Sequence, residues 1–307
     1  MNKVLWEPSK EKIISSHINN LKLGINKKYN LELSSYFDLY LWSIDNIESF
    51  WSYLWDDLDI KYSKKYSEVL SGRNKMLSSS WFLGAKLNFA ENLLRYRNEN
   101  IAIEFYNENN IKNSITYKEL YTLVSKVAIS FKNLGLKKGD RIVGILPNIP
   151  ESIISMLAAS SIGAIWSSCS PDFGLKGISD RFSQIKPKLL ISTNGYSFKG
   201  KEFNMTDKIL KISKSLKSIK HTIVIDYINS ISIIDPCLSW NSIILNSNKI
   251  EDIEFAQLPF NHPLYIMYSS GTTGKPKSIV HSAGGTLIQH MKELKYHVNL
   301  NQKDKIF

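Results

Sequence analysis

The sequence predicts an α/β protein whose parallel-sheet domain follows a helical N-terminal cap. Three observations support this prediction. Aromatic residues recur at helical spacing near the N-terminus, strand-like and helix-like segments alternate from about residue 100, and a glycine- and hydroxyl-rich run follows an apolar segment near residue 268. Alternating strands and helices are typical of parallel strands covered by helices. We assign residues 1–98 to the cap and residues 99–307 to the first part of the α/β domain.

The cap is predicted from apolar stripes between residues 36 and 59. The stripes are spaced as on an amphipathic helix and contain Phe37, Tyr40, Leu41, Ile44, Phe50, Trp51, Leu54 and Trp55. A stripe of this kind more often packs in a core than binds a ligand. We therefore expect these residues to pack against the following domain.

The α/β domain opens with a predicted hairpin and a helix. Residues 101–106 and 111–115 have the composition of strands that pair across an asparagine-rich turn. Thr116 and Glu119 then have the spacing of a capping box, which marks a helix start. Gly135 is placed where that helix would end, because glycine adopts the left-handed conformation of a helix C-terminus at low cost.

The same alternation continues along the chain. The predicted strands are 141–146, 164–166, 189–191 and 222–225, and the predicted helices are 150–162, 177–185 and 208–220. The last of these helices carries lysine at every third position, while its isoleucines also recur at helical spacing. Such a pattern is more often a solvated face on a crossover helix than a nucleic-acid or membrane stripe.

Composition favours an ordinary globular chain. Of the 307 residues, 43% are hydrophobic and 22% are charged, and the formal net charge is +11. The lysines are spread over many short segments, which favours a lysine-rich surface over an arm that binds nucleic acid or a membrane. The apolar window Ile153–Cys169 is interrupted by serines and is too short for a bilayer span.

The chain is predicted to be cytoplasmic. Its first residues lack the apolar stretch and the small-residue cleavage site of a secretory signal. Cys169 and Cys237 are too few for a disulfide framework, and no Cys or His spacing suggests a zinc site.

The most informative feature is the run Tyr268–Lys277, which reads Tyr-Ser-Ser-Gly-Thr-Thr-Gly-Lys-Pro-Lys. Its glycines let the backbone approach a ligand and adopt positive φ, and its hydroxyl and main-chain N–H groups are donors for an anion. The final lysine adds a mobile positive charge. Residues 263–268 predict a buried strand, from which the run would leave as a loop. These properties predict a loop that binds a polyphosphate.

Two alternatives compete with this interpretation. A Walker A loop is excluded, because Gly274-Lys275 is followed by proline and the glycine spacing is too short. A surface turn rich in serine, threonine and glycine is the ordinary outcome for such a composition. The ten specified positions of the run weigh against that second alternative.

The run resembles the phosphate-binding signature of the adenylate-forming enzymes, which include acyl-CoA synthetases, luciferases and peptide-synthetase adenylation domains. The segment Trp81–Asn92 looks like one that precedes the catalytic domain in the acetyl- and acetoacetyl-CoA synthetase branch. Ser160–Gly174 and Ile279–Gly285 are most similar to the acetoacetyl-CoA synthetases, and Ser170–Gly174 is the discriminating piece. The resemblance covers about residue 35 to residue 307.

This resemblance implies an adenylate-forming N-terminal domain and an acid–thiol ligase that uses ATP, Mg²⁺ and coenzyme A (CoA). It implies a short acid, acetoacetate first, which would form an acyl-adenylate before CoA attacks. The residues implied to bind the ATP phosphates are Ser269, Ser270, Gly271, Thr272, Thr273, Gly274 and Lys277. Lys275 stands at a variable position of the family.

Lys199 and Lys201 fall where related acetyl-CoA synthetases place basic residues near the nucleotide end of CoA, so they could pair with its 3′-phosphate. A solvated loop with two lysines explains them equally well. His281 is expected to have a structural role or to support a residue that contacts the ligand. Cys169 is expected to be buried and inert, since the thiol chemistry would belong to CoA.

The resemblance also implies what these residues lack. The later motifs for adenine, ribose and the acyl group, and a C-terminal domain with an adenylation lysine, have no counterpart here, so we expect an incomplete chain that does not complete the reaction. No catalytic residue, metal site or oligomeric state is predicted. An acetyl- or propionyl-CoA synthetase and a noncatalytic nucleotide-binding remnant stay open as alternatives.

Overall fold

The computed structural model describes residues 5–73, 75–229, 231–232, 235–245, 252–269 and 274–307. The chain divides into two compact units. The first comprises Met1–Ile60, Tyr66–Gly84 and Gly285–Phe307, and the second comprises Lys61–Lys65 and Ala85–Gly284.

Helices dominate the first unit. Its elements up to Gly84 are α1 (Lys10–Ser15), α2 (His17–Tyr29), α3 (Tyr36–Asp45), α4 (Ile47–Asp57), β1 (Glu68–Ser71), a 3₁₀ turn (Met76–Ser78) and β2 (Ser80–Leu83). Strands β1 and β2 pair antiparallel. Near the end of the chain a π-helix (Glu293–His297) also belongs to this unit.

An aromatic cluster forms the core of the first unit. Trp55 packs between Phe82, with ring centroids 4.8 Å apart, and Tyr66, with ring centroids 5.2 Å apart. Asp57 at the end of α4 accepts hydrogen bonds from Lys295, at 2.7 Å, and from Tyr296. These contacts tie α4 to β2 and to the π-helix within the unit.

Only part of the aromatic stripe is buried. Leu54 and Trp55 on α4 are buried, and the aromatic partners of Trp55 lie within the first unit rather than in the following domain. The residues of the stripe that lie on α3 are instead exposed by 40% to 62% of their surface, and these are Phe37, Tyr40, Leu41 and Ile44. The prediction was wrong for α3, because helical spacing identifies an apolar face without identifying an element that covers it.

The second unit alternates strands and helices. Its elements are β3 (Lys86–Leu87), α5 (Phe89–Leu93), β4 (Ile101–Tyr106), β5 (Lys112–Thr116), α6 (Tyr117–Asn133), β6 (Arg141–Ile145), α7 (Pro150–Ser161), β7 (Ile165–Cys169), α8 (Leu175–Ile185), β8 (Leu189–Thr193), β9 (Gly195–Phe198), β10 (Lys201–Asn204), α9 (Thr206–Ser215), β11 (His221–Ile225), β12 (Leu238–Ser239), α10 (Trp240–Leu245), β13 (Leu258–Pro259), β14 (Pro263–Ser269) and β15 (Lys277–Ser282). Helix α11 (Ala283–Lys292) follows, and from Gly285 onward it belongs to the first unit.

A seven-stranded sheet organises this unit, with the order β12-β11-β8-β6-β7-β14-β15 among the described residues. Neighbouring strands are parallel from β12 to β14, and β15 returns antiparallel to β14. The predicted α/β fold with a parallel-rich sheet is confirmed.

Buried side chains alternate between the two faces of this sheet. Ile142, Leu189 and Ile223 belong to one core with helices α6, α7 and α10. Their neighbours Val143, Leu190 and Val224 belong to a second core with α8 and α9. Because both faces are buried, the strands are almost continuously apolar, as expected for parallel strands.

Several local predictions are confirmed. Strands β4 and β5 form the predicted antiparallel hairpin. Thr116 and Glu119 form the predicted capping box at the start of α6. Gly135 follows that helix with φ of +79°, the left-handed conformation expected of a glycine at a helix C-terminus.

The predicted helix at 208–220 is confirmed only to Ser215, where α9 ends. Leu216 turns into the core, and the Lys220 N–H donates to the Lys188 carbonyl at 2.8 Å, which brings the chain into β11. The prediction was therefore wrong beyond Ser215. Within the described ranges, no helix is both long and apolar enough to cross a bilayer.

Candidate functional site

Strands β14 and β15 carry the predicted phosphate run at the edge of the sheet. Ser269 ends β14 and pairs with Lys277, which begins β15. The prediction that the run leaves a strand at residues 263–268 is therefore confirmed, with β14 one residue longer. The antiparallel return as β15 was not predicted.

The structure describes part of the predicted phosphate site. Gly274 has φ of +94°, so the positive φ expected of this glycine is confirmed. Four of the predicted phosphate ligands lie outside the described residues, namely Ser270, Gly271, Thr272 and Thr273. The described members Ser269 and Lys277 are cross-strand neighbours, and Lys277 is exposed.

The pairing of β14 with β15 separates the side chains near the run onto two faces. Ser269 and Lys277 stand opposite each other, and Tyr268 and Ser278 form the next pair. Successive side chains of a strand point to opposite faces, so Lys277 lies on the face opposite to Ser278. Tyr268 packs against the core formed with α8 and α9, which places Ser278 on the side of those helices.

Helix α8 contacts both strands next to the run. The Tyr268 hydroxyl donates to the Arg181 carbonyl at 3.1 Å. The Gln184 amide Nε2 donates to the Pro276 carbonyl at 2.9 Å, and the Ser278 hydroxyl donates to Gln184 Oε1 at 3.2 Å. None of these α8 contacts was predicted, because no sequence spacing connects residues 181–184 with residues 268–278.

A cleft of about 410 Å³ opens next to Tyr268. Aromatic and sulfur-containing side chains dominate its lining, which includes Trp166, Cys169, Phe173, Tyr265, Met267 and Tyr268. Arg181 adds a positive charge, and its guanidinium carbon lies 4.6 Å from the centre of the Phe173 ring. This lining suits a partly apolar ligand group that also carries polar atoms.

Burial changes the acidity of two groups in this cleft. It raises the pKa of the Cys169 thiol to about 12, and the charges of Arg181 and Lys208 offset only part of the rise. It also raises the pKa of Tyr268, although the neighbouring hydroxyl groups of Ser167 and Ser278 act in the opposite direction. Both groups are therefore neutral near pH 7, as the expectation of an inert Cys169 requires. The expectation that Cys169 is buried was wrong, because its side chain is half-buried and lines the cleft.

Lys208 holds the segment that most resembles the acetoacetyl-CoA synthetases. Its ammonium group donates to the carbonyls of Pro171 at 2.8 Å and Phe173 at 3.2 Å. Sequence reasoning placed Lys208 on a solvated helix face, which was wrong for this lysine. Lys208 lies in the first turn of α9 and is the first of the regularly spaced lysines. Only this position could have suggested another role.

The predicted CoA ligands Lys199 and Lys201 lie on a different hairpin from the phosphate run. Lys199 and Gly200 form the turn between β9 and β10, and both have positive φ. Their main-chain N–H groups donate to the carboxylate of Glu108, at 2.9 Å and 3.4 Å. Both lysine side chains are exposed, and no described contact joins them to β14 or β15.

Two histidines next to the sheet have structural contacts. His281 faces Tyr265 across the strand pair, with ring centroids 5.3 Å apart. His262 contacts the Gly163 carbonyl through Nε2 at 3.0 Å, and burial lowers its pKa. In the part of the chain that the structure describes, no three His, Cys, Asp or Glu side chains group as metal ligands would.

The parallel-rich sheet with helices on both faces, together with the hairpin that carries the run, defines an adenylate-forming type of α/β domain. Residues 89–307 match the model of the AMP-binding enzyme family, and residues 36–93 match the acetyl-coenzyme A synthetase N-terminus. The chain belongs to the AMP-binding enzyme family.

Curated relatives and a solved structure extend this result. The chain is 42% identical to acetoacetyl-CoA synthetase of Gallus gallus, over 99% of this chain and 47% of that protein. It is 43% identical to acetoacetyl-CoA synthetase of Macaca fascicularis, over 98% of this chain and 46% of that protein. The structure of acetoacetyl-CoA synthetase from Streptomyces lividans matches with a TM-score of 0.94 at 34% identity, over 99% of this chain and 47% of that chain. The chain thus spans about half the length of the proteins it matches.

Proposed function

We propose that the complete protein containing this chain is an ATP-dependent acid–thiol ligase that makes acetoacetyl-CoA from acetoacetate, ATP and CoA. The observation that carries the proposal is the similarity over 99% of the chain to a protein named acetoacetyl-CoA synthetase. The composition and the strand-flanked position of the predicted phosphate run support the same chemistry.

The proposed reaction has two steps. In the first, an oxygen of the acetoacetate carboxylate attacks the α-phosphorus of ATP, and the bond from that phosphorus to the oxygen bridging the β-phosphate breaks, releasing pyrophosphate. In the second, the CoA thiolate attacks the acyl carbon and AMP leaves. Negative charge on the phosphates governs the first step, so donors and a cation around them supply its main stabilisation.

The proposed phosphate ligands are Ser269, Ser270, Gly271, Thr272, Thr273, Gly274 and Lys277. The pairing of Ser269 with Lys277 supports this proposal, because it brings a hydroxyl and an ammonium group to the same place at the end of the hairpin. Magnesium would enter with the nucleotide, since polyphosphate oxygens are ligands that Mg²⁺ prefers.

Pyrophosphate exchange tests the proposed first step. The complete protein should exchange pyrophosphate into ATP only when acetoacetate is present. Lys277→Ala should lower this exchange by about 10- to 1000-fold, because it removes a charge-assisted contact to the phosphates. Lys275→Ala is the matched control, two residues away, and should leave exchange within about twofold of the wild type. Equal loss in both variants, or no exchange with any short acid, would contradict the proposal.

Two alternatives give different results in related assays. An acetyl- or propionyl-CoA synthetase would exchange fastest with acetate or propionate in a panel of acids at equal concentration. A noncatalytic nucleotide-binding protein would be stabilised by ATP against heat but would exchange with none of them.

Lys199 and Lys201 are proposed to contact the 3′-phosphate of CoA through their side chains. The Glu108 carboxylate already accepts from the main-chain N–H groups of this turn, so the exposed ammonium groups are the donors left for a phosphate. Lys199→Ala with Lys201→Ala should raise the KM for CoA, while the KM for 3′-dephospho-CoA should not change. An equal rise for both thiols would exclude this contact.

The organisation of the complete protein is part of the proposal. Residues 1–98 would form a cap of the acetyl/acetoacetyl-CoA synthetase type, and residues 99–307 the first part of the AMP-binding domain. The proposed location is the cytoplasm, where the enzyme would activate a ketone body for lipid metabolism. Fractionation of the native cells, with the protein detected in the soluble fraction, tests this location.

A further inference from the structure

Gln184 contacts the residues on both sides of Lys277. Its amide Nε2 donates to the carbonyl of Pro276 at 2.9 Å, and its Oε1 accepts from the hydroxyl of Ser278 at 3.2 Å. One planar side chain therefore holds the residue before and the residue after the lysine. The side chain of Lys277 itself lies on the opposite face of β15, free of this contact.

The helix that carries Gln184 is firmly anchored. Ile178 and Phe182 on α8 are fully buried in the core that this helix shares with β14. Gln184 Nε2 also donates to the carbonyl of Asp180 one turn earlier, at 2.7 Å, which restricts the rotamers of the side chain. Gln184 thus links a packed helix to the start of β15 through hydrogen bonds.

A second contact holds the opposite strand to the same helix. The hydroxyl of Tyr268 donates to the main-chain carbonyl of Arg181 at 3.1 Å. Since Tyr268 pairs with Ser278 across the hairpin, α8 holds both strands at the same level, one residue before Ser269 and one residue after Lys277. A two-stranded hairpin end without such support would be free to twist.

We propose that Gln184 is a positioning residue, which fixes the backbone of Lys277 so that its ammonium group meets the phosphates of a bound nucleotide. The proposal rests on the proposed function for its ligand, the ATP phosphates. The hydrogen bonds to Pro276 and Ser278 restrict the conformations of the lysine backbone before the ligand arrives. Less conformational entropy is then lost on binding, which raises affinity.

The role of Gln184 is tested in the complete protein with Gln184→Leu, which keeps a similar volume but removes both contacts. Ser278→Ala removes only one of them. Ser183→Ala is the matched control, because Ser183 is the exposed neighbour of Gln184 on α8. Gln184→Leu should raise the Kd for MgATP about 3- to 10-fold, Ser278→Ala should raise it less, and Ser183→Ala should not change it.

A double-mutant cycle separates positioning from a general effect on folding. If Gln184 acts through Lys277, then Gln184→Leu should raise the Kd for MgATP in the wild-type background and have no further effect in Lys277→Ala. An equal rise in both backgrounds would overturn the proposal. So would a Kd for Gln184→Leu that equals that of the wild type.

Hydrogen exchange without nucleotide distinguishes this proposal from the proposed function. The amides of Lys277 and Ser278 should exchange faster in Gln184→Leu than in Ser183→Ala. Equal exchange would overturn the positioning role even if ATP binds. The two variants could show the expected exchange difference while the wild-type protein does not bind MgATP. That result would refute the proposed function, but Gln184 would still restrict the backbone of Lys277.

Discussion

Cys169 shows how burial decides the chemistry of a single residue. It ends β7 in the cleft beside Tyr268, and burial raises its pKa to about 12. Nearby Arg181 and Lys208 favour the thiolate, but their charges do not overcome the loss of hydration. The thiolate is the reactive form of cysteine, so Cys169 should be a poor nucleophile in the folded protein.

Thiol labelling measures this directly. In a Cys237→Ser background, Cys169 should react with a maleimide at pH 8 at least about 100-fold more slowly in the folded protein than in urea, because an upward pKa shift of several units removes most of the thiolate. Comparable rates in the two states would contradict the assigned pKa.

The same shift makes stability depend on pH at the alkaline end. The folded state holds the thiol proton above the ordinary pKa of 9.0, up to about 12. The stabilisation is therefore fully present below about pH 9 and is lost as pH rises from there towards 12. Between pH 8 and pH 10.5, the urea midpoint should fall further for the wild type than for Cys169→Ala, since tyrosine and lysine titrations are common to both proteins.

At the scale of elements, Asn88 joins three parts of the second unit. Its Oδ1 accepts from the N–H of Glu91 at 3.2 Å and so caps α5. Its Nδ2 group lies 3.0 Å from the Ser160 carbonyl, 3.1 Å from the Ser161 carbonyl and 2.9 Å from the Ala256 carbonyl. The side chain is fully buried, so no water can replace these partners at low cost.

Asn88→Ala should therefore be strongly destabilising. It removes a helix cap and the side-chain donor to three carbonyl groups, at a cost of about 2–3 kcal/mol in the free energy of unfolding. The Ser160 and Ser161 carbonyls keep main-chain donors, the N–H groups of Gly163 and Ala256. Asn133→Ala is the control, because Asn133 is an exposed residue at the end of α6. In urea unfolding, the midpoint of Asn88→Ala should be lower than that of the wild type, and the midpoint of Asn133→Ala should be almost unchanged. A shift below about 0.5 kcal/mol would show that neither the cap nor the side-chain donor to these carbonyls contributes to stability.

Local signals in the sequence predicted much of this architecture. The capping box at Thr116 and the glycine at position 135 were recognisable because each depends on residues close together in the chain. The segment containing Asn88 was recognised as a resemblance, but its role depends on carbonyl groups 72 and 168 residues away. Gln184 likewise contacts Pro276 across 92 residues. Such contacts are set by tertiary packing, for which the spacing of residues gives no signal.

At the scale of the whole molecule, the sequence predicted the strands and helices of the fold better than it predicted which apolar faces are covered. The alternation of strands and helices indicated the parallel sheet, because apolar residues recur at one interval along a strand and at another along a helix. The same periodicity led us to assign Phe37 and Tyr40 to a core, although they are exposed. Whether an apolar face is covered depends on the arrangement of whole elements. The composition of the phosphate run identified it in the sequence. The antiparallel return of the chain as β15 was not predicted.

Among the described residues, strand β15 lies at the edge of the sheet and carries exposed apolar side chains. It is the last strand in the sheet order, and Ile279 and Val280 expose 46% and 56% of their surface. An edge strand of this kind offers unpaired main-chain groups and apolar side chains to a second copy. A polypeptide of these 307 residues should therefore self-associate, with a mass that rises with concentration in sedimentation or light scattering.

Two substitutions locate the surface responsible. Val280→Lys should weaken the association by about tenfold or more, because a charge at an edge strand opposes edge-to-edge pairing. Phe37→Ser removes an equally exposed aromatic ring from α3 and should leave the association unchanged. If Phe37→Ser dissociates the assembly while Val280→Lys does not, the apolar face of α3 is the contact surface and the edge of the sheet is not. If strand pairing at the edge of the sheet holds two copies together, only Val280→Lys should disrupt the association.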